Sequence, residues 1–142
     1  MPSSTFSHTA HAAASPLAIW TTLQSADTWV SLGLMDSVSR AVVTNGRLTS
    51  FDWTALAAGT RHQGTAVTAE SVAGERMVLA LDSSEITGEI AVALSPDGAG
   101  AAMTVVLTAR SRGILAGMFW GVVSEALGRG LVAQVEEFAK RF

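Results

Sequence analysis

Few residues in this chain could carry acid–base or metal chemistry, and they are scattered. His62 lies in Arg61-His62-Gln63 on a predicted strand. An imidazole there could shuttle a proton; a surface position or a satisfied structural one is the ordinary alternative. His8 and His11 are three apart on another predicted strand, so they point to opposite faces and make a poor metal pair. No H-E-x-x-H or similar ligand spacing occurs, and neither a metal nor a cofactor is expected. Asp52 flanks Trp53, and Glu89 lies in mid-strand. Both fall on faces read as outward, where a solvated carboxylate is expected; turned inward, either could accept a proton. Arg40 alternates with Val38 and Val42. It is a candidate anchor for a ligand carbonyl or carboxylate, or else a cation whose stem packs while its head reaches water.

Serine and threonine are plentiful, but no nucleophile or phosphate-binding motif is present. With no cysteine, disulfides, thiolate metal sites and cysteine nucleophiles are excluded. No G-x-S-x-G elbow exists. Gly128-Arg129-Gly130 lies inside a predicted helix and lacks the lysine and hydroxyl residue of a phosphate loop. The catalytic residues, if there are any, are not identified by motif.

The elements that must position these residues are easier to read. Phe6 to Ala13 forms a first strand. Ser15-Pro16 is a helix start, with serine as cap and proline at the first helical position. Leu17, Ile19, Trp20 and Leu23 give that helix its apolar side, and Asp27 opens a second short helix carrying Trp29, Val30 and Leu32, with Gly33 near its end. Strands follow up to Arg112. Asn45-Gly46 signals a type I′ hairpin after Val38–Thr44. Gly59, Ala73-Gly74, Ser83-Ser84 and Ser95-Pro96-Asp97-Gly98 separate the later strands. Regular short strands joined by tight turns predict an antiparallel meander.

From Ile114 to Phe142 there is no proline, and apolar residues recur at three- and four-residue steps. One long amphipathic helix is predicted, about 40 Å at 1.5 Å per residue. Its opening, Ile114 to Val123, carries no charge, but Glu125 and Arg129 interrupt the run. A spanning helix needs about 20 predominantly apolar residues, so a membrane span is not expected. Gly117 and Gly121 each cost up to about 1 kcal/mol relative to alanine, which points to close packing or to space beside the helix.

Bulk composition bounds the function. A length of 142 residues suits one domain over residues 1–142. Hydrophobic residues make up 49% and charged residues 15%, which argues against disorder. The net charge of −3 offers no basic surface for a phosphate backbone, so nucleic acid is not an expected partner. The N-terminal stretch has neither a basic segment nor a continuous apolar one, so a cytoplasmic location is expected.

The order strand, two short helices, about six more strands, long helix resembles the helix-grip fold of the SRPBCC superfamily. That superfamily includes START lipid-transfer domains, birch-pollen-allergen-like proteins and polyketide cyclases. The resemblance rests on ASPLAIWTTLQSADTW (Ala14 to Trp29), ALSPDGAGAAMTVVLTAR (Ala93 to Arg110) and EEFAKRF (Glu136 to Phe142). It implies an α+β fold in which a curved antiparallel sheet of six or seven strands wraps around the C-terminal helix and leaves a cavity. By the resemblance, Trp20, Trp29, Met118, Phe119 and Trp120 lie near the mouth.

Strand alternation supplies the rest of the expected lining. Phe51 and Trp53, Met77, Leu79 and Leu81, Ile86, Ile90, Val92 and Leu94, and Met103, Val105 and Leu107 face inward. Met118, Phe119 and Val122 join them from the helix. Plain core packing is the alternative for each. Three readings follow. The first is a binding or carrier protein for a small hydrophobic molecule, lipid-like or polyketide-like. The second is a cyclase/dehydrase-like enzyme, which needs at least two convergent polar side chains among Arg40, Asp52, His62 and Glu89. The third is a partner-binding module or homo-oligomer, using an exposed patch near Trp29 or Trp120.

Overall fold

The computed structural model describes residues 2–32, 34–57, 59–113 and 117–142. The elements run β1 (Ser3–Ala12), α1 (Pro16–Thr22), α2 (Thr28–Leu32), β2 (Ser37–Thr44), β3 (Arg47–Ala57), β4 (Thr60–Val72), β5 (Arg76–Ser83), β6 (Ile86–Asp97), β7 (Gly100–Ser111) and α3 (Trp120–Ala139). The seven strands form one antiparallel sheet in the order β1-β7-β6-β5-β4-β3-β2. The chain makes a meander from β2 to β7 and returns β1 to the far edge. This is the helix-grip arrangement.

Local signals account for most boundaries. The Ser15 hydroxyl accepts from the Ala18 N–H at 3.2 Å, and Pro16 opens α1. Asn45 (φ 53°) and Gly46 (φ 76°) both take positive φ, as a type I′ hairpin requires. The turn predicted at Ser95–Gly98 is shorter than expected. Pro96 stays in β6 opposite Ala101, and only the segment between Asp97 and Gly100 reverses the chain, with Gly98 at φ 59°. Proline is tolerated there because it is next to the strand end, where a missing donor costs little.

α3 crosses the concave face beside β1, β7 and α2. It is shorter than the predicted helix. Gly117 and Met118 are helical, Phe119 breaks the run at φ −108°, ψ 21°, and α3 starts at Trp120. Its 20 residues span about 30 Å. Ile114 to Ala116, where the sequence predicts the helix to begin, lie outside the described residues, as does Gly33. No described helix is long and apolar enough to cross a membrane.

Three contacts pin α3 to β1. The Trp120 indole donates to the Ser4 hydroxyl at 3.1 Å, Ser4 and Ser124 hydroxyls meet at 2.8 Å, and His8 Nε2 lies 2.6 Å from Glu136 Oε1. The helix glycines divide by cause. A Cβ on Gly128 would come within 2.8 Å of the Phe6 ring, and one on Gly130 within 3.1 Å of Leu34, so these two permit close approach. A Cβ on Gly121 would meet nothing within 4 Å, and on Gly117 only the Ser111 hydroxyl at 3.1 Å.

Candidate functional site: an apolar cavity at one end of the sheet

The concave face changes character along its strands. From paired positions, β6 and β7 present Leu94 with Met103, Val92 with Val105, Ile90 with Leu107, and then Gly88 with Ala109. The first three pairs fill the space under the helices. The fourth offers a hydrogen and a methyl group, too little volume to do so. A cavity of about 70 Å³ opens there. Its floor is Leu81, the Ile86–Gly88 stretch of β6 and Thr108 and Ala109 of β7, its side wall is Trp53, Ala55, Leu56 and His62, and its cover is Leu34 and Met35 after α2 with Leu127 of α3.

Trp53 is held as a fixed wall. Its indole N–H donates to the Thr65 carbonyl at 2.9 Å. Its ring lies over Gly64, where a Cβ would stand 2.4 Å from the indole and 2.3 Å from the Asp82 carbonyl. Leu34 reaches the cavity from a left-handed backbone at φ 60°. For a leucine that conformation is costly, and it is sustained here by its seat against Gly130.

The predicted lining residues separate into three groups. Trp53 and Leu81 line the cavity, as does Ile86. Trp20, Trp29, Phe51, Met77, Leu79, Ile90, Met103, Val105 and Leu107 face inward as expected, yet they pack into the buried core. Trp29 is fully buried and donates to the Leu23 carbonyl at 2.9 Å, so it stands at no mouth. Trp20 is buried beneath the Arg47 guanidinium, 5.3 Å from its ring centroid. Met118 (69% exposed), Phe119 (51%) and Val122 (59%) turn to solvent and form no part of this wall. Trp120 is half-buried, held by Ser4.

The polar candidates also separate. His62 is buried at 8% exposure and lines the cavity. Arg40 sits at a register shift between β2 and β3, at φ 52°, with its side chain 85% exposed and 3.7 Å from Asp52. The shift swings Arg40 out of alternation, so it is no buried anchor. Asp52 pairs with it at the surface, and Glu89 is exposed on the opposite face of β6 from Gly88. One titratable side chain, not two, therefore reaches the cavity from the described residues. His8 and His11 part as expected, to Glu136 on α3 and to Asp97 at the β6–β7 turn.

Sequence reasoning missed Leu34, Met35, Ala55, Leu56, Thr87, Gly88, Thr108, Ala109 and Leu127 as lining. Gly88 carried a readable signal, since a glycine interrupts the inward series Ile86, Ile90, Val92. Leu34 and Met35 carried none, because they come from a connection with no periodicity.

No protein-family model matches the chain, and no curated protein does. Solved structures match over almost the whole length. The Zhui aromatase/cyclase from Streptomyces sp. R1128 superposes with a TM-score of 0.74 at 12% identity, covering 99% of this chain and 95% of that one. A protein from Thermus thermophilus gives 0.73 at 17%, covering 97% and 96%. A START superfamily protein from Mycobacterium smegmatis gives 0.69 at 14%, covering 96% and 97%. Such identities speak to backbone architecture, and on that ground the chain shares the helix-grip fold with these START and aromatase/cyclase structures.

Proposed function

We propose that the protein binds a small hydrophobic molecule in the cavity bounded by Trp53, Leu81, Ile86 and Leu127. The observation that carries this reading is the cavity itself: an almost wholly apolar, half-open hollow with a wall fixed by Trp53 and space left by the small inward residues Gly88 and Ala109. Ligand sites are typically concave and apolar with few polar groups. The size sharpens the reading. Drug-sized pockets run from about 300 Å³ upward, whereas this enclosure is about 70 Å³. A single ring or short branched group fits within it, with any remainder leaving through the mouth. A long acyl chain would need the filled half of the sheet to open.

A cyclase-like reaction has less support, since Arg40, Asp52 and Glu89 lie outside the cavity and His62 stands without a second titratable side chain among the described residues of its lining. The test is native mass spectrometry of freshly purified protein, followed by denaturing extraction. A reproducible adduct of small-molecule mass, lost on filling the cavity with Ala55→Leu, supports the carrier reading. A clean apo mass, together with no binding of added aromatic compounds, contradicts it and favours a surface role for exposed Met118 and Phe119.

A further inference from the structure

We infer that His62 is the polar anchor of this cavity and that the ligand is an apolar ring compound bearing a hydroxyl group. The inference rests on the cavity reading above and adds the chemistry of what is bound.

Five polar residues are buried among the described ones: Gln24, Thr28, His62, Ser83 and Ser111. Four are used within the fold. Gln24 donates to the Trp20 carbonyl and accepts from the Leu48 N–H, and Thr28 donates to the Thr22 carbonyl. Ser83 donates to the Ile86 carbonyl and Ser111 to that of Gly113. Of these five, His62 is the one whose ring has no hydrogen-bond partner among the described residues, and it lines the cavity. Its nitrogens are not among the fully enclosed atoms left without a partner, which are Trp20 Nε1, Ser71 Oγ and Glu85 Oε2, so they are not sealed off from the cavity. Here the ring faces a cavity with no other titratable side chain in its lining.

The chemistry narrows the ligand. A neutral imidazole has one donor and one acceptor, and a hydroxyl satisfies either nitrogen whichever tautomer is present. A carboxylate fits poorly, because no arginine or lysine lines the enclosure and an unpaired buried anion is costly. The apolar walls take a ring by area burial and shape.

The probes are 2-naphthol and naphthalene, which differ only by the hydroxyl. Binding is read by NMR from the Trp53 indole N–H and the His62 ring ¹⁵N signals. In the wild type both probes shift Trp53, naphthol binds about ten-fold more tightly, and only naphthol shifts the His62 ring. His62→Leu removes the preference and leaves naphthalene affinity within about two-fold, while His62→Gln retains part of the preference. Equal wild-type affinities with a silent His62 ring overturn the anchor and leave the cavity reading intact. So does a naphthol preference that survives His62→Leu. If neither probe moves Trp53, the cavity reading falls and the anchor falls with it. The wild-type ring signals decide the matter even if a variant fails to fold.

Discussion

The two halves of the concave face are built from the same strands and do opposite work. In one half, Phe51, Leu79, Ile90 and Met103 are almost fully buried, in one cluster with Trp29, Leu131 and Phe138. In the other, Gly88, Ala109 and Ala55 leave space that Leu34, Met35 and Leu127 cover without filling. The step from full to hollow occurs within one pair of residues, from Ile90–Leu107 to Gly88–Ala109. A cavity in this fold thus needs no special architecture. It needs small inward residues at one register position and rigid neighbours that cannot collapse into it, because a core relaxes only partly around missing volume.

That contrast can be broken by substitution. The largest effect is expected from Phe138→Ala, which empties the filled half and costs about 3–5 kcal/mol in denaturant unfolding. Leu127→Ala, at the half-buried cover of the hollow end, is expected to cost about 1 kcal/mol. Equal losses would show that both halves are packed alike. Next comes Gly88→Ala. The added Cβ would sit 2.2 Å from the Thr108 carbonyl, a backbone atom that moves only if β6 and β7 part. A loss of about 1–3 kcal/mol is expected, with a changed Trp53 signal at the cavity wall.

A smaller effect on stability, with a large one on binding, is expected from Ala55→Leu. The new side chain enters existing space, so unfolding should change by under about 1.5 kcal/mol while 2-naphthol binding disappears. Smallest is Gly121→Ala. A Cβ there meets nothing within 4 Å, so helix propensity alone should stabilise α3 by about 0.5–1 kcal/mol. The same change at Gly128 meets the Phe6 ring at 2.8 Å and should forfeit that gain.

How much of this was legible depends on whether the signal was local. Turn and cap residues act on their own backbone, so Ser15-Pro16 and Asn45-Gly46 placed α1 and the first hairpin directly. Alternation is nearly local, and Met77, Leu79, Ile90, Val92, Met103, Val105 and Leu107 are buried as the inward series on β5, β6 and β7 predicts, although Val78, on the other face by alternation, is buried too. The α3 segment was not. Residues Met118 to Val123 are apolar on every side, so periodicity there selects no face, and neither the break at Phe119 nor the exposure of Met118 and Val122 could be foreseen. Of the two readings open for Arg40, the solvent-reaching one holds, and alternation could not choose between them because a register shift resets it without a sequence marker. The cavity lay furthest from view. It depends on volumes summed across β3, β4, β6, β7, α3 and the segment after α2, and Leu34 and Met35 reach it from a connection whose course only the fold determines.

The most direct test of the central claim is a crystal structure of the protein under xenon pressure. Xenon enters apolar space that side chains leave empty. The account predicts a xenon atom in contact with Trp53, Leu81 and Ile86, absent in Ala55→Leu. Xenon found only among Phe51, Leu79 and Met103, or nowhere on the concave face, would contradict it.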